Sequence, residues 1–198
     1  MSVIINGTDG ITYNDSTVQG TALVENKVIN GNFDINQRAV SGTVTLSAGV
    51  YGHDRWKAGA GGATYTFATS ANVTTLTVSA GTLQQVIEGA NLQSGTHVLS
   101  WTGTAQARIN SGSYAASGVT GAATGGTNLT VEFGTGTISK VQLEVGSNAS
   151  NFEQLFISET LELCQRYYQK YKNDSGAAAE GFWGTGLQDS TTSFVGGF

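Results

Sequence analysis

Residues Ile138 to Lys172 read ISKVQLEVGSNASNFEQLFISETLELCQRYYQKYK, and this stretch decides the fold because strand periodicity passes directly into helix periodicity within it. Val141, Leu143 and Val145 alternate with Gln142 and Glu144, the period of two of a strand with one face buried and one wet. Gly146 to Asn151 supplies a turn. Beyond it Ile157, Leu161, Cys164, Tyr168 and Tyr171 fall on one apolar stripe of a helix predicted over 157–172, with Ser158 as its side-chain cap. A β-domain therefore ends where this helix begins.

Upstream, short apolar runs separated by turn signals predict a succession of strands: Thr43–Ser47, Thr64–Ala68, Val73–Val78, Leu83–Ile87, Thr96–Thr102, Ala105–Ile109, Leu129–Phe133 and Ile138–Val145. Strands in that number without intervening helices imply a β-sandwich spanning 27–156. Asn110 to Asn128 is made of small residues around the single aromatic Tyr114 and reads as a surface loop. Residues 1–26 carry Asn6-Gly7 and Asp9-Gly10, the dipeptides of tight hairpins. So thin a segment needs symmetry mates or a docking protein, unless it is simply a flexible arm. Residues 173–198 read as a linker and the start of a C-terminal β-segment that the chain cuts short, with Phe182, Trp183, Phe194 and Phe198 on a glycine-rich background.

Composition narrows the function classes. Charged residues are only 12% of the 198 positions and glycine fills 28, so the surface is coated with neutral polar groups. The net charge of −5 and the scatter of nine basic residues argue against nucleic acid. Arg166, Lys170 and Lys172 cluster only at the helix end, where cations offset the dipole. One cysteine excludes a disulfide framework, and its place on the apolar stripe favours a small buried hydrophobe over a reactive thiol. No apolar run is long enough to span a bilayer, and no signal peptide is evident.

Four pieces in this order, NGNFDINQR (30–38), YGHDRWKAG (51–59), LQQVIEG (83–89) and VQLEVGSNASNFE with LELCQRYYQKY (141–171), resemble the β-module and following helix of phage and prophage tail-fibre and tail-appendage proteins. Asn151 stands where that family usually has proline. The resemblance implies a jelly-roll sandwich of the galactose-binding or carbohydrate-binding-module type, with an immunoglobulin-like sandwich as the alternative. It also implies a place in the virion tail after assembly in the host cytoplasm, with residues 1–26 as an attachment segment. The expected partners are the chain itself as a homotrimer, other tail proteins and host-surface polysaccharide. A free carbohydrate-binding module and a tail enzyme acting on surface glycan are the competing readings.

The residues offer little catalytic chemistry. His53 and His97 are isolated, no nucleophile elbow or phosphate loop is present, and Asp34, Asp54, Glu88 and Glu144 show no spacing that selects a glycosidase pair. No enzyme is expected. For ligand binding the candidates are Trp56 as a sugar platform, Asp54 and Arg55 as hydroxyl partners, and Tyr114; the competing reading makes Trp56 a core residue beside an Asp–Arg pair. For a metal, Asn30, Asn32, Asp34, Glu144 and Glu153 offer oxygens. The resemblance to carbohydrate-binding modules implies a structural calcium that joins the first and last strands, against solvated polar groups at strand ends.

Overall fold

The computed structural model describes residues 25–170 throughout, and beyond them only the backbone of short strands at 4–6, 10–12, 18–19, 187–190 and 193–195. The architecture is mostly β with one helix. Near the N-terminus, β1 (Ile4–Asn6), β2 (Gly10–Thr12) and β3 (Val18–Gln19) pair in that order as a small antiparallel sheet.

The main body holds β4 (Val44–Leu46), β5 (Lys57–Ser70), β6 (Val73–Ile87), β7 (Gly95–Thr102), β8 (Ala107–Ile109), β9 (Val119–Ala123), β10 (Leu129–Phe133) and β11 (Gly136–Val145). After it come α1 (Ile157–Gln165) and a hairpin of β12 (Leu187–Ser190) with β13 (Ser193–Val195). All eight main strands pair antiparallel in the order β4-β5-β6-β11-β7-β9, and β10 and β8 branch from β6.

The spine is the β5–β6 hairpin. Ser70 pairs with Val73, and the two turn residues Ala71 and Asn72 have φ of 48° and 59°, the left-handed pair that a two-residue hairpin requires. The first half of β6 pairs with β11 through Leu76 and Ile138; its second half pairs with β10 through Leu83 and Phe133. One strand thus serves both arms of the network. The bend between the halves falls at Gly81, where φ is +70° and an added Cβ would lie 2.1 Å from the Gly62 oxygen, so only glycine fits.

The two arms face each other across one core, as in a sandwich. Trp101 of β7 and Phe133 of β10 belong to strands that do not pair, yet their rings meet edge to face at 5.1 Å. Leu129, Val131 and Phe133 are buried while Thr130 and Glu132 are only half-buried, the alternation expected of a strand with one covered face. Each such leucine or valine contributes about 1.5–3 kcal/mol by leaving water.

Three sequence expectations are corrected. Val73–Val78 and Leu83–Ile87 belong to one continuous strand, because the bulge at Gly81 breaks the alternation without ending the pairing. The loop at Asn110–Asn128 contains β9, which pairs with β7 from Gly95↔Ala123 to Leu99↔Val119; its small residues carry almost no strand signal. The helix ends at Gln165, and Ser158 lies inside it, behind Phe156 at the cap position. Along the expected stripe Cys164 is buried, Leu161 is half-buried and Ile157 is 66% exposed; Tyr171 lies outside the described residues. Among the described residues no helix is long and apolar enough to cross a membrane, which says nothing of β-barrels.

Candidate functional site

The motifs quoted above meet at one seam between the sandwich and the end of α1. Asn30 takes the left-handed conformation, φ 59°, and its amide ties the turn shut: its oxygen accepts from the Ile35 N–H at 3.0 Å, and its nitrogen donates to the Ile35 and Asp54 carbonyls. The Asn30 carbonyl in turn accepts from Trp56 Nε1 at 3.0 Å. Gln85 faces inward between Leu83 and Ile87, and its amide exchanges two hydrogen bonds with the Ile29 backbone at 2.9 and 2.8 Å. This is how an inward glutamine is tolerated in a core.

Asp54 is 1% exposed and accepts from the Gln37 N–H at 2.6 Å and Gln37 Nε2 at 2.9 Å, with Arg38 at 3.4 Å. Gln37 Nε2 also donates to the Tyr168 carbonyl at 2.8 Å, which ties the turn that follows Gln165 to the sandwich. Arg55 donates to the Val86 carbonyl at 2.7 Å and lies 3.5 Å over the Tyr167 ring; Arg38 lies 3.8 Å over the ring of Tyr168. The two tyrosines that follow the helix are therefore used as lids over two arginines. Arg166 completes the seam with an exposed ion pair to Glu88 at 2.8 Å.

Trp56 does not form a sugar platform. It is fully buried, tilted against Phe33 at 4.9 Å and edge-on to Phe133 at 5.8 Å, so no face is open to a pyranose. Asp54 and Arg55 adjoin it, but their polar atoms face the protein. Tyr114 belongs to another cluster: its hydroxyl donates to Glu132, which also accepts from Arg108 at 3.0 Å, and the Arg108 guanidinium lies 4.7 Å over the tyrosine ring. Burial and the bond to Glu132 push the Tyr114 phenol up to about 12. Glu132 sits opposite both Arg108 and Gln84, which places this cluster on the half-covered outer face of β8, β10 and β6.

His53 is buried against Phe67, edge to face at 4.5 Å, and shares a hydrogen bond with the Tyr65 hydroxyl. Burial lowers its pKa from 6.5 to about 4. Above pH 6.5 the ring is neutral in both the folded and unfolded chain. As pH falls from 6.5 towards 4 the unfolded chain gains a proton that the folded one refuses, so stability falls, by about 3 kcal/mol across that window. Urea unfolding at pH 7 and pH 4.5 measures the drop, and His53→Gln is expected to remove most of it. An equal drop in that variant would assign the effect elsewhere.

Of the five oxygen donors considered for calcium, three come together, although both Asp34 oxygens already accept from Asn32 Nδ2 at 3.0 Å. Asn32, Asp34 and Glu153 line a cavity of about 20 Å³ that also touches Asn26 and Gly31. The Asn32 Oδ1 is buried without a partner, and Glu153 uses only Oε2, to accept from the Asn26 N–H. Asn30 lines the same cavity, but its side-chain oxygen is committed to Ile35. Glu144 does not belong to the set: it closes the following turn by accepting from the Ser150 N–H at 2.7 Å and from Gln142. Among the described residues no three His, Cys, Asp or Glu side chains gather; two carboxylates and an orphaned amide oxygen nevertheless fit a hard, oxygen-seeking cation.

Asn26, Gln37, Arg38, Gln85, Gln142 and Tyr167 are not distinguished as site residues by sequence pattern. The available signal is their type: polar groups at inward strand positions or beside glycine-containing turns. Compared with family models, with curated proteins and with solved structures, the chain shows no match.

Proposed function

We propose that this chain is a structural component of a phage tail, a fibre or appendage module that takes part in attachment to the host surface. The observation that carries the reading is the seam. The four stretches that resemble tail-fibre proteins are separate in the chain, yet Asn30, Gln37, Asp54, Arg55, Val86 and Tyr168 join them through direct bonds. Their shared role is to lock a jelly-roll sandwich to the helix that follows it, which is scaffold work. The polar groups of the seam are spent on one another, which favours the scaffold over a tail enzyme. The free carbohydrate-binding module remains the second reading, favoured by the Tyr114–Glu132–Arg108 cluster on an outer sheet face.

In this reading the chain assembles as a homotrimer through the start of the helix. Phe156 is 77% exposed, Ile157 66% and Leu163 40%, an apolar group that a lone sandwich leaves in water. Light scattering at micromolar concentration is expected to give the trimer mass, and Ile157→Asp the monomer mass. A monomer for the unaltered chain removes the threefold assembly. Antibody labelling of virions tests the location: label on the tail supports the reading, and its absence there refutes it.

The same reading gives Asn32, Asp34 and Glu153 a structural calcium that ties the entry of the sandwich to its exit. Millimolar calcium is expected to raise Tm by several degrees over a chelator control, because a ligand bound only by the folded chain stabilises it. Asp34→Asn should abolish the rise. An unchanged Tm in the unaltered chain would leave the orphaned Asn32 oxygen without this explanation.

A further inference from the structure

The seam holds more positive than negative charge. Arg55 is 8% exposed, and among the described residues no carboxylate pairs with it. Its Nε is buried without a partner. Arg38 has a single ion pair, and that pair is long because the Asp54 carboxylate is turned towards Gln37. Arg55 thus has no ion pair and Arg38 only a long one, in a setting where an uncompensated charge is costly.

Beside them lies a cavity of about 130 Å³ walled by Arg38, Tyr51, Arg55, Cys164, Tyr167 and Tyr168. That is room for several waters, since one water occupies roughly 30 Å³ of liquid. The side chains around it are guanidiniums, phenols and a thiol, with no carboxylate or amide oxygen. Burial pushes the Cys164 thiol up to about 12, so it supplies no counter-charge. Tyr51, 37% exposed, stands at the solvent side. Tyrosine rings lie against both guanidiniums, and with one Arg55 N–H given to the Val86 carbonyl the remaining N–H groups are those able to bond. Arg55 is moreover held in the left-handed conformation, φ 71°, a strain of the sort that clusters at binding sites.

We propose that this cavity takes a small oxyanion, the carboxylate of an acidic sugar or a phosphate group. A neutral sugar would find phenol oxygens as acceptors but would leave both guanidinium charges uncompensated, and a cation would meet two like charges. The choice of an acidic sugar as the source rests on the host-attachment reading above; the oxyanion chemistry does not.

The test titrates the full chain with sodium glucuronate, sodium phosphate and glucose at constant ionic strength, following backbone amide shifts of residues 38, 51, 55 and 164–168. Glucuronate is expected to saturate these shifts in the millimolar range and glucose to leave them unmoved. Arg38→Gln should raise the glucuronate Kd at least tenfold, with Arg38→Lys in between. Should Arg38→Gln not fold, Tyr51→Ala at the rim provides the weakened variant. Saturation by phosphate alone would keep the oxyanion site and overturn the acidic sugar as its ligand. No saturation by either anion up to tens of millimolar, or equal affinity in the folded variants, would overturn the site. Binding of host polysaccharide that glucuronate fails to compete would overturn the site's role in attachment and leave the attachment reading standing.

Discussion

Trp56→Ala will lower the free energy of unfolding by about 3–5 kcal/mol, the range found when a buried tryptophan is truncated. The indole is fully buried between Phe33 and Phe133, and its N–H is spent on the Asn30 carbonyl. The substitution empties the centre of the core and frees the carbonyl that anchors the first turn. Urea unfolding followed by far-UV circular dichroism measures the loss. A cost below about 1 kcal/mol would mean that the ring is not packed as described, and would return Trp56 to the surface as a candidate sugar platform.

Asp54→Ala is expected to cost nearly as much, about 3–5 kcal/mol, through a different mechanism. Its carboxylate holds the Gln37 backbone, the Gln37 side chain and Arg38 from a position that is 1% exposed. Removing it leaves a guanidinium without its counter-charge and two donors without acceptors, and Gln37 then loses its hold on the Tyr168 carbonyl. Proteolysis should therefore cut sooner beyond Gln165 in this variant than in Trp56→Ala at matched stability. Equal cutting would show that the helix end is held by other contacts.

The fold class is legible because Val141, Leu143 and Val145 alternate and the Ile157–Cys164 spacing does not, and because turn chemistry separates most strands. The wet face that this alternation predicts is corrected, since Gln142 and Glu144 are buried with their polar atoms bonded to each other and to Ser150, while Val145 is 48% exposed. What escapes has physical causes. Val119–Ala123 contains two alanines and a glycine, so β9 exists through its pairing with β7 rather than through any propensity of its own. Gly81 looks like a turn because a bulge and a turn ask for the same residue. Tyr168 keeps its N–H on the Cys164 carbonyl although the regular helix ends at Gln165, and its stacking on Arg38 and its bond to Gln37 are tertiary contacts that no spacing announces.

The candidate site is only partly legible. Asp54, Arg55 and Trp56 are singled out by their density, and the structure does bring them together, although facing inward. Asn32, Asp34 and Glu153 are recoverable as an oxygen set; Glu144 is not separable from them by sequence, because its partner Ser150 lies within a turn of unremarkable composition.

The clasp at the mouth of the sandwich has a mechanical consequence. Asn26 bonds to Val141 and Leu143, the Lys27 N–H donates to the Leu143 carbonyl at 2.9 Å, and the Val141 N–H donates to the Gly31 carbonyl at 2.9 Å. The incoming and outgoing segments are thus stitched side by side and run in opposite directions. Tension applied to the two flanking segments pulls on both strands from the same end, so the stitches open in succession, as in a zipper, instead of sharing the load in shear. Under tension the module would unravel from residues 26–31 and 141–145 first, and the load would pass next to β6, whose Gln85 holds the Ile29 backbone.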